Sequence, residues 1–514
     1  MTMTINRRHM MMLTAAGVGV AALGGTNAVW AQDGAVLAYG ESGSFVTFNP
    51  WAQVLTQSST ANQVFSRLVY SDLDGNLVGD LAETWAFSDD GKAITLKLRP
   101  GVLWHDGKAL VADDFVTMYS YLSDPTYEGD QGVGKIKSLF APVTAVEAPD
   151  ASTVVISFSA PVPYATAILG YFYAIRFDSA EDTVMLQNGP VGTGPFKFGE
   201  HVAGQYATFT RNEEYFGDQA KLDGFRFSLY AQGSNVSPNL TAGEVNGILV
   251  ANQAEVEALR ANPDFSVMQV PVGAHVLMVN ASKPPFDNPL VRQALSYSMN
   301  REAFSEAAHF GLEVPTASPF YDANSIGYAE ELVNAHAFDL DRAAALLAEA
   351  GVSDLKLTYP APNSNPNYGT YGEIWQSDLA AIGVDLQIER VDAARWRDMG
   401  AGKVPEIDFV PWTVGRSLID PSIFFAANSL YRAVNQRFGY VNPAFEELLV
   451  SAAVEIDPAK RRELFLQIGH VLLDESWNIA MLSDTKVYVW DKKFEGQTAD
   501  RGGNVSFGNI AQVG

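Results

Sequence analysis

The sequence predicts an α/β protein of two lobes, with a hairpin-rich subdomain carried by the first. Three observations lead there: a strand–loop–helix unit near the start, two antiparallel hairpins after it, and strands alternating with helices from about residue 271. A chain of 514 residues, 47% hydrophobic and 18% charged, with 43 Gly and 25 Pro, has the balance of a globular protein with more than one core.

In order along the chain, Arg7 and Arg8 precede a mildly apolar run from Met10 to Leu23, and Val29-Trp30-Ala31 offers small groups for cleavage. The run is too short to span a bilayer, so residues 1–31 read as a secretory leader, and the paired arginines give it a twin-arginine character. Val36 to Tyr39 reads as a strand, and Ser59 caps an apolar helical pattern at Val64, Phe65, Leu68 and Val69. Thr84–Ser88 and Ala93–Leu98 flank Asp90-Gly91, and Val143–Ala148 and Thr153–Phe158 flank Pro149-Asp150; both pairs read as hairpins, in a subdomain spanning 67–186. Further strands are expected at His275–Val279, Leu355–Tyr359, Val384–Ile388 and Ile407–Val410. Helices fall between them, one with Val291, Leu295 and Met299 on a face and one over Tyr371–Ile382. Strand–helix alternation of this kind calls for a parallel sheet.

Ligands of parallel sheets lie beyond the carboxyl ends of the strands, where loops and helix N-termini present backbone donors. Four loops then qualify: 41–51, 280–288, 360–369 and 412–421. The candidate contacts are Ser44, Phe45, Asn49 and Trp51 on the first, Asn363 and Asn365 on the third, Trp412, Arg416 and Asp420 on the fourth, and His275 on its strand. Trp412 supplies a stacking face and Arg416 a fixed fork of donors. Asp420 either orients Arg416 or caps the helix from Pro421.

Composition and motif searches remove several functional classes. With no Cys there are no disulfides, thiol nucleophiles, Cys-based metal sites or lipidated Cys, and a net charge of −25 repels nucleic acid and anionic membrane surfaces. Asp72, Asp74, Asn76 and Glu83 match calcium-loop positions, but Leu77 stands where the sharp turn needs Gly, so a turn at Asp74-Gly75 is the better reading. Ser483-x-x-Lys486 lacks its partner motifs and sits in a strand-like alternation. The mature-region His residues lie far apart in sequence, and a lone one such as His105 reads as structural. The sequence accordingly points to no catalytic residue, no metal and no cofactor.

Leu81-Ala-Glu-Thr-Trp-Ala-Phe-Ser-Asp-Asp-Gly, running into Leu98-Arg-Pro-Gly-Val-Leu-Trp-His-Asp-Gly and Ala112-Asp-Asp-Phe, resembles the signature region of family 5 solute-binding proteins of ABC importers. Gly192-Thr-Gly-Pro-Phe, Phe286-Asp-Asn-Pro-Leu-Val-Arg-Gln-Ala-Leu-Ser, Leu346-Leu-Ala-Glu-Ala-Gly, Leu379-Ala-Ala-Ile-Gly-Val and Asp420-Pro421 continue the resemblance in order. It implies a periplasmic-binding-protein fold of type II in its large form, with lobes joined by two crossing strands near 270–276 and 480–487. Lobe I would comprise 32–66, 187–270 and 483–514, and lobe II 271–482. It also implies a monomeric periplasmic receptor that hands a small solute to permease subunits, with no nucleic acid and no membrane insertion of its own.

Peptide receptors of the family place an Asp shortly after the fourth-loop Trp, and dipeptide receptors an Arg in the third loop. Here Gly415 and Arg416 stand at the first position and Pro362 near the second. A free dipeptide is disfavoured, because an ionised end buried without a counter-charge costs several kcal/mol. A longer peptide held through its backbone leads. An oligosaccharide or an opine-like anion is the runner-up, and an exported hydrolase is the alternative of another class. The leader reading makes a direct prediction: protein isolated from the periplasm should begin at Gln32 by intact mass, and a soluble periplasmic species retaining residues 1–31 would refute it.

Overall fold

The computed structural model describes residues 35–43, 48–53, 58–127, 133–176, 189–231, 234–250, 253–415, 420–422, 425, 438 and 440–513; the leader expected over 1–31 lies outside them. The described fold opens with β1 (Val36–Ser42), which buries Leu37 and Tyr39. Helix α1 (Ser58–Val64) is shorter than its apolar pattern suggests, and Ser59 lies inside it rather than at its cap. Val69 leaves the helix for a ribbon, Val69–Ser71 paired with Leu77–Gly79. The turn of that ribbon is the expected one, with Gly75 at φ 87° and the Asp72 carboxylate accepting from the Asn76 N–H at 2.8 Å.

Both expected hairpins are present. Strands β2 (Ala82–Phe87) and β3 (Ala93–Leu98), then helix α2 (Ala112–Ser123), then β4 (Val143–Asp150) and β5 (Thr153–Phe158) build a four-stranded antiparallel sheet in the order β2-β3-β5-β4. Helix α2 covers it with Phe115, Met118 and Leu122. The signature His105 ties this part to the next: its Nε2 lies 3.0 Å from the Gly194 carbonyl, and its Nδ1 accepts from the Gly192 N–H at 3.3 Å. The same Gly-Thr-Gly presses on the end of α1, where a Cβ on Gly192 would stand 1.9 Å from the Val64 carbonyl. Only backbone fits there, which explains the motif.

The chain continues through β6 (Phe196–Val202), β7 (Tyr206–Arg211), β8 (Gly224–Tyr230), β9 (Gly247–Leu249) and the 15-residue β10 (Phe265–Val279). Helices α3 (Pro289–Tyr297) and α4 (Arg301–His309) follow, each capped by an Asn side chain, Asn288 and Asn300. Next come β11 (Lys356–Pro362), α5 (Pro366–Ala381), β12 (Asp385–Val391), α6 (Ala393–Gly400), β13 (Phe409–Gly415), α7 (Pro443–Val454), α8 (Pro458–Glu475) and the 14-residue β14 (Asn478–Asp491). One eight-stranded sheet runs through the molecule in the order β13-β10-β14-β9-β1-β8-β7-β6.

The all-parallel expectation for the second lobe is corrected. Strands β11 and β12 do pair in parallel, but β10 pairs antiparallel with both β13 and β14. Antiparallel partners end at opposite edges, so the four loops do not share one. Val279 lies opposite Phe409, at the far end of β13 from Gly415, and the Asn280 side chain turns away, its Nδ2 donating to the carbonyls of Pro405 and Ile407. The third loop also shrinks, because α5 begins at Pro366, and Trp412 belongs to strand β13 rather than to the loop after it.

Strands β10 and β14 carry residues of separate cores along their length. Val270, Val272, Tyr488 and Trp490 pack with Leu37, Tyr39 and Phe227. Farther along, Leu277, Val279, Ile479 and Met481 pack with Tyr359, Tyr371 and Trp375. The C-terminal segment returns to the first core through Phe507 and Ile510. Its turn is fixed by Asp500, whose carboxylate accepts from the backbone of Gly502 and Asn504 and from Asn62, and pairs with Arg67 at 2.8 Å. Removing one partner of such a buried pair leaves an uncompensated charge. Asp500→Ala should therefore lower unfolding free energy by about 3–5 kcal/mol in denaturant titration, and a loss within error of wild type would show that the turn is held otherwise.

Candidate functional site

The site grows from two irregularities where β10 and β14 pass between cores. Register shifts fall between Pro271 and Gly273 and between His275 and Val276. Between the shifts, Gly415, Gly273 and Asp484 stand side by side across β13, β10 and β14, with Thr413, His275 and Leu482 two rows along. The first row thus carries a single side chain, Asp484, over two glycines. A Cβ on Gly415 would find nothing nearer than 3.8 Å, so this stretch of strand is open above its backbone.

Polar groups gather round these rows. The Tyr321 hydroxyl donates to the Gly273 carbonyl at 2.6 Å. The Tyr368 hydroxyl lies 2.8 Å from Thr413 Oγ1 and 3.2 Å from His275 Nδ1, and His275 Nε2 is 3.9 Å from Asp484 Oδ1. Behind His275 runs a directional chain. Because Gln253 Oε1 can only accept, His309 carries its proton on Nδ1, and its Nε2 accepts from the Tyr371 hydroxyl. Gln253 Nε2 then donates to Glu313 Oε1 at 3.0 Å, where the Thr485 N–H also donates at 3.0 Å, and Ser483 Oγ donates to Glu313 Oε2 at 2.6 Å.

His275, His309 and Glu313 come within 4.8 Å of one another, close enough to be considered as metal ligands. Both His309 nitrogens and both Glu313 oxygens are already hydrogen-bonded, however, so an ion there would have to displace Gln253 from two partners. The donor set fits a hydrogen-bonded strut better than a coordination shell.

The candidates from sequence are placed as follows. Ser44, Phe45 and Arg416 lie outside the described residues. Asn49 accepts from the Trp51 N–H, and Trp51 is buried beside Phe172 with its indole N–H on the Tyr173 carbonyl. Asn365 caps α5, and Asn363 is exposed, its N–H on Val391. Trp412 lies against Trp396, with ring centroids 4.3 Å apart, and over Gly400. Asp420 accepts from the Ser422 N–H as a cap and is gripped by both ends of the Arg461 guanidinium at 2.7 and 2.8 Å. Of the set, His275 is the residue brought to the crossing rows. Asp484, Lys486, Gln253, His309, Glu313, Tyr321 and Tyr368 were not anticipated. The available signal was the polar run Ser483-Asp-Thr-Lys486 interrupting an otherwise apolar strand.

Against known families, residues 76–432 match the model described as bacterial extracellular solute-binding proteins, family 5, middle. The chain belongs to that family. It is 28% identical to the dipeptide-binding protein of Escherichia coli K12, covering 92% of this chain and 94% of that one. It is 29% identical to the glutathione-binding protein GsiB of Pectobacterium atrosepticum, covering 96% of each. Among solved structures, the substrate-binding protein CtaP of Listeria monocytogenes superposes with a TM-score of 0.83 at 24% identity, over 94% of this chain and all of that one. DppA of Helicobacter pylori, in complex with the peptide STSA, gives 0.77 at 22%, over 93% and 98%. The fold is therefore the two-lobed periplasmic-binding-protein fold. No helix among the described residues of this solute-binding protein is long and apolar enough to cross a membrane.

Burial sets the charge state of its imidazoles. It pushes His275 down to about 4, partly offset by Glu313, and His309 to about 3, helped by His275. Both are neutral at physiological pH. Their folded pKa values lie below the unfolded value of about 6.5, so the folded state binds fewer protons. Each contribution is neutral above that pH and opposes folding increasingly as pH falls toward 4, by up to about 1.4 kcal/mol per unit. In ¹⁵N-histidine spectra both rings should remain neutral down to pH 5.5, His309 as the Nδ1–H tautomer; a ring protonated by pH 6 would contradict the burial argument.

Proposed function

We propose that this protein is a periplasmic receptor that captures a peptide between its lobes and delivers it to the permease of an ABC importer, working as a monomer and catalysing no reaction. The observation that carries the reading is alignment with the dipeptide- and glutathione-binding relatives over more than nine-tenths of each chain. The lobes are taken as 32–66, 187–270 and 483–514 for the first, with 67–186 as its subdomain, and 271–482 for the second. Residues 1–31 are taken as the twin-arginine leader.

Physical support comes from β10 and β14. Two strands whose ends are anchored in different cores, and whose register is broken between them, form a natural flexing point. A ligand closes such a pair only through its greater affinity for the closed state. The end of β13 at Gly415, exposed and clear above its backbone, offers an edge to an extended peptide, which suits a ligand held along its length.

The test is thermal shift with di- to pentapeptides, linear oligosaccharides and an opine, followed by small-angle scattering of each binder. A peptide at one hundred times its Kd should stabilise the protein by about 2.7 kcal/mol and reduce the radius of gyration. Stabilisation by a sugar or opine alone would overturn the peptide assignment. Turnover of any probe would restore the hydrolase reading, and an unchanged radius at saturation would refute closure.

A further inference from the structure

We infer that the crevice beside the crossing strands binds the cationic group of the solute, an ammonium or guanidinium, with Asp484 as its main counter-charge and Glu41 as the second. The inference deepens the receptor reading but does not require the solute to be a peptide.

The argument begins with how other carboxylates between these elements are treated. Asp322 is held by both ends of Arg501 at 2.6 and 2.7 Å, Asp500 by Arg67 at 2.8 Å, Asp420 by Arg461, and Glu475 by Arg292 at 2.7 Å. Asp484 and Glu41 have no guanidinium among the described residues. Their shared positive neighbour is Lys486, which also donates to the Gly503 carbonyl at 3.2 Å. Among the described residues, one ammonium thus serves two carboxylates. His275, 3.9 Å from Asp484, is neutral and adds no charge.

The surroundings are those of a receiving site. Asp484 keeps 30% of its side-chain surface open, above the glycine row. Tyr321 and Tyr368 stand within electrostatic reach of its carboxylate, and phenol rings favour cations over anions. At the other end, the wholly buried Tyr39 brings a hydroxyl with no hydrogen-bond partner within electrostatic reach of Glu41. Burial raises Glu41 to about 7 and Asp484 to about 6, with Lys486 only partly opposing it. The other ionisable groups facing them are Glu313 and Tyr371 beside Asp484, and Tyr488 beside Glu41. An arriving cation lowers both carboxyl pKa values, so binding releases protons.

Titration calorimetry of the full mature chain should use charge-matched probes: Ala-Ala-Ala and Ala-Lys-Ala with free amines, their N-acetylated forms (lysine also acetylated), L-arginine, an opine, and Ni²⁺. The expected result is at least one cationic binder whose neutralised analogue binds about 30-fold or more weakly. Its proton release at pH 6.5, read from buffers of different ionisation enthalpy, should fall in Asp484→Asn and again when Glu41→Gln is added. Unchanged melting temperatures show that the variants are folded. If arginine binds and peptides do not, the peptide reading fails and the cation site stands. The inference is overturned if neutralised or anionic probes bind as tightly as cations, if no organic cation binds, if Asp484→Asn binds like wild type, or if Ni²⁺ alone depends on Asp484.

Discussion

The pairing of β10 with β14 is the constraint on which the rest of the molecule depends. These are the longest strands, and each contributes side chains to cores on both sides of the register breaks. A strand committed to one core has its side-chain alternation set by that core alone. Serving two requires the alternation to be reset part-way, and the shifts at Pro271/Gly273 and His275/Val276 do that. Between the shifts only Ala274 and Leu482 still join a core, and the residues that alternate with them face away from it. That is why Gly273, His275, Ser483 and Asp484 tolerate polarity there, and why polar segments from elsewhere in the chain, Gln253 and Glu313 among them, converge on the same few residues.

Much of the architecture was legible in the sequence because local chemistry dictated it. Turn signals at Asp90-Gly91 and the alternation in Thr153–Phe158 specify hairpins without tertiary help. Asn-Pro pairs such as Asn288-Pro289 and Asn365-Pro366 specify helix starts, although the second was read as loop because Asn367, Tyr368 and Gly369 are weak helix formers that packing overrides. Strand direction was not legible. Alternating strands and helices suit a parallel sheet, but β10 and β14 lie some two hundred residues apart in sequence, and nothing local records that they pair antiparallel. The misplacement of the four loops follows from that one error.

The site was read less well, for a related reason. Trp51 and Trp412 were chosen for their stacking faces, yet large aromatics lower their free energy most by burial: Trp51 is wholly buried beside Phe172, and Trp412 is half-buried against Trp396. Asp420 was offered either as the partner of Arg416 or as a cap; it does cap at Ser422, and Arg461, far off in sequence, grips its carboxylate. Groups that converge from distant segments, His309 with Gln253 and Ser483 with Glu313, leave no spacing to find. The exception was the charged run within β14, conspicuous for standing where a strand should be apolar.

The C-terminal return has a consequence for how the chain must fold. Gln63 binds the backbone of Val505 and Phe507 across separations of 442 and 444 residues, and Tyr39 packs its ring against Phe507 and Trp490. On the ribosome, the first core is therefore missing its lid until the last residues emerge, and β10 waits for β14 as its ladder partner. Synthesis order and completion order are inverted: the part made first is finished last, and through that interval Tyr39, Phe227 and the edge of β9 that awaits β14 are exposed to whatever holds or carries the nascent chain.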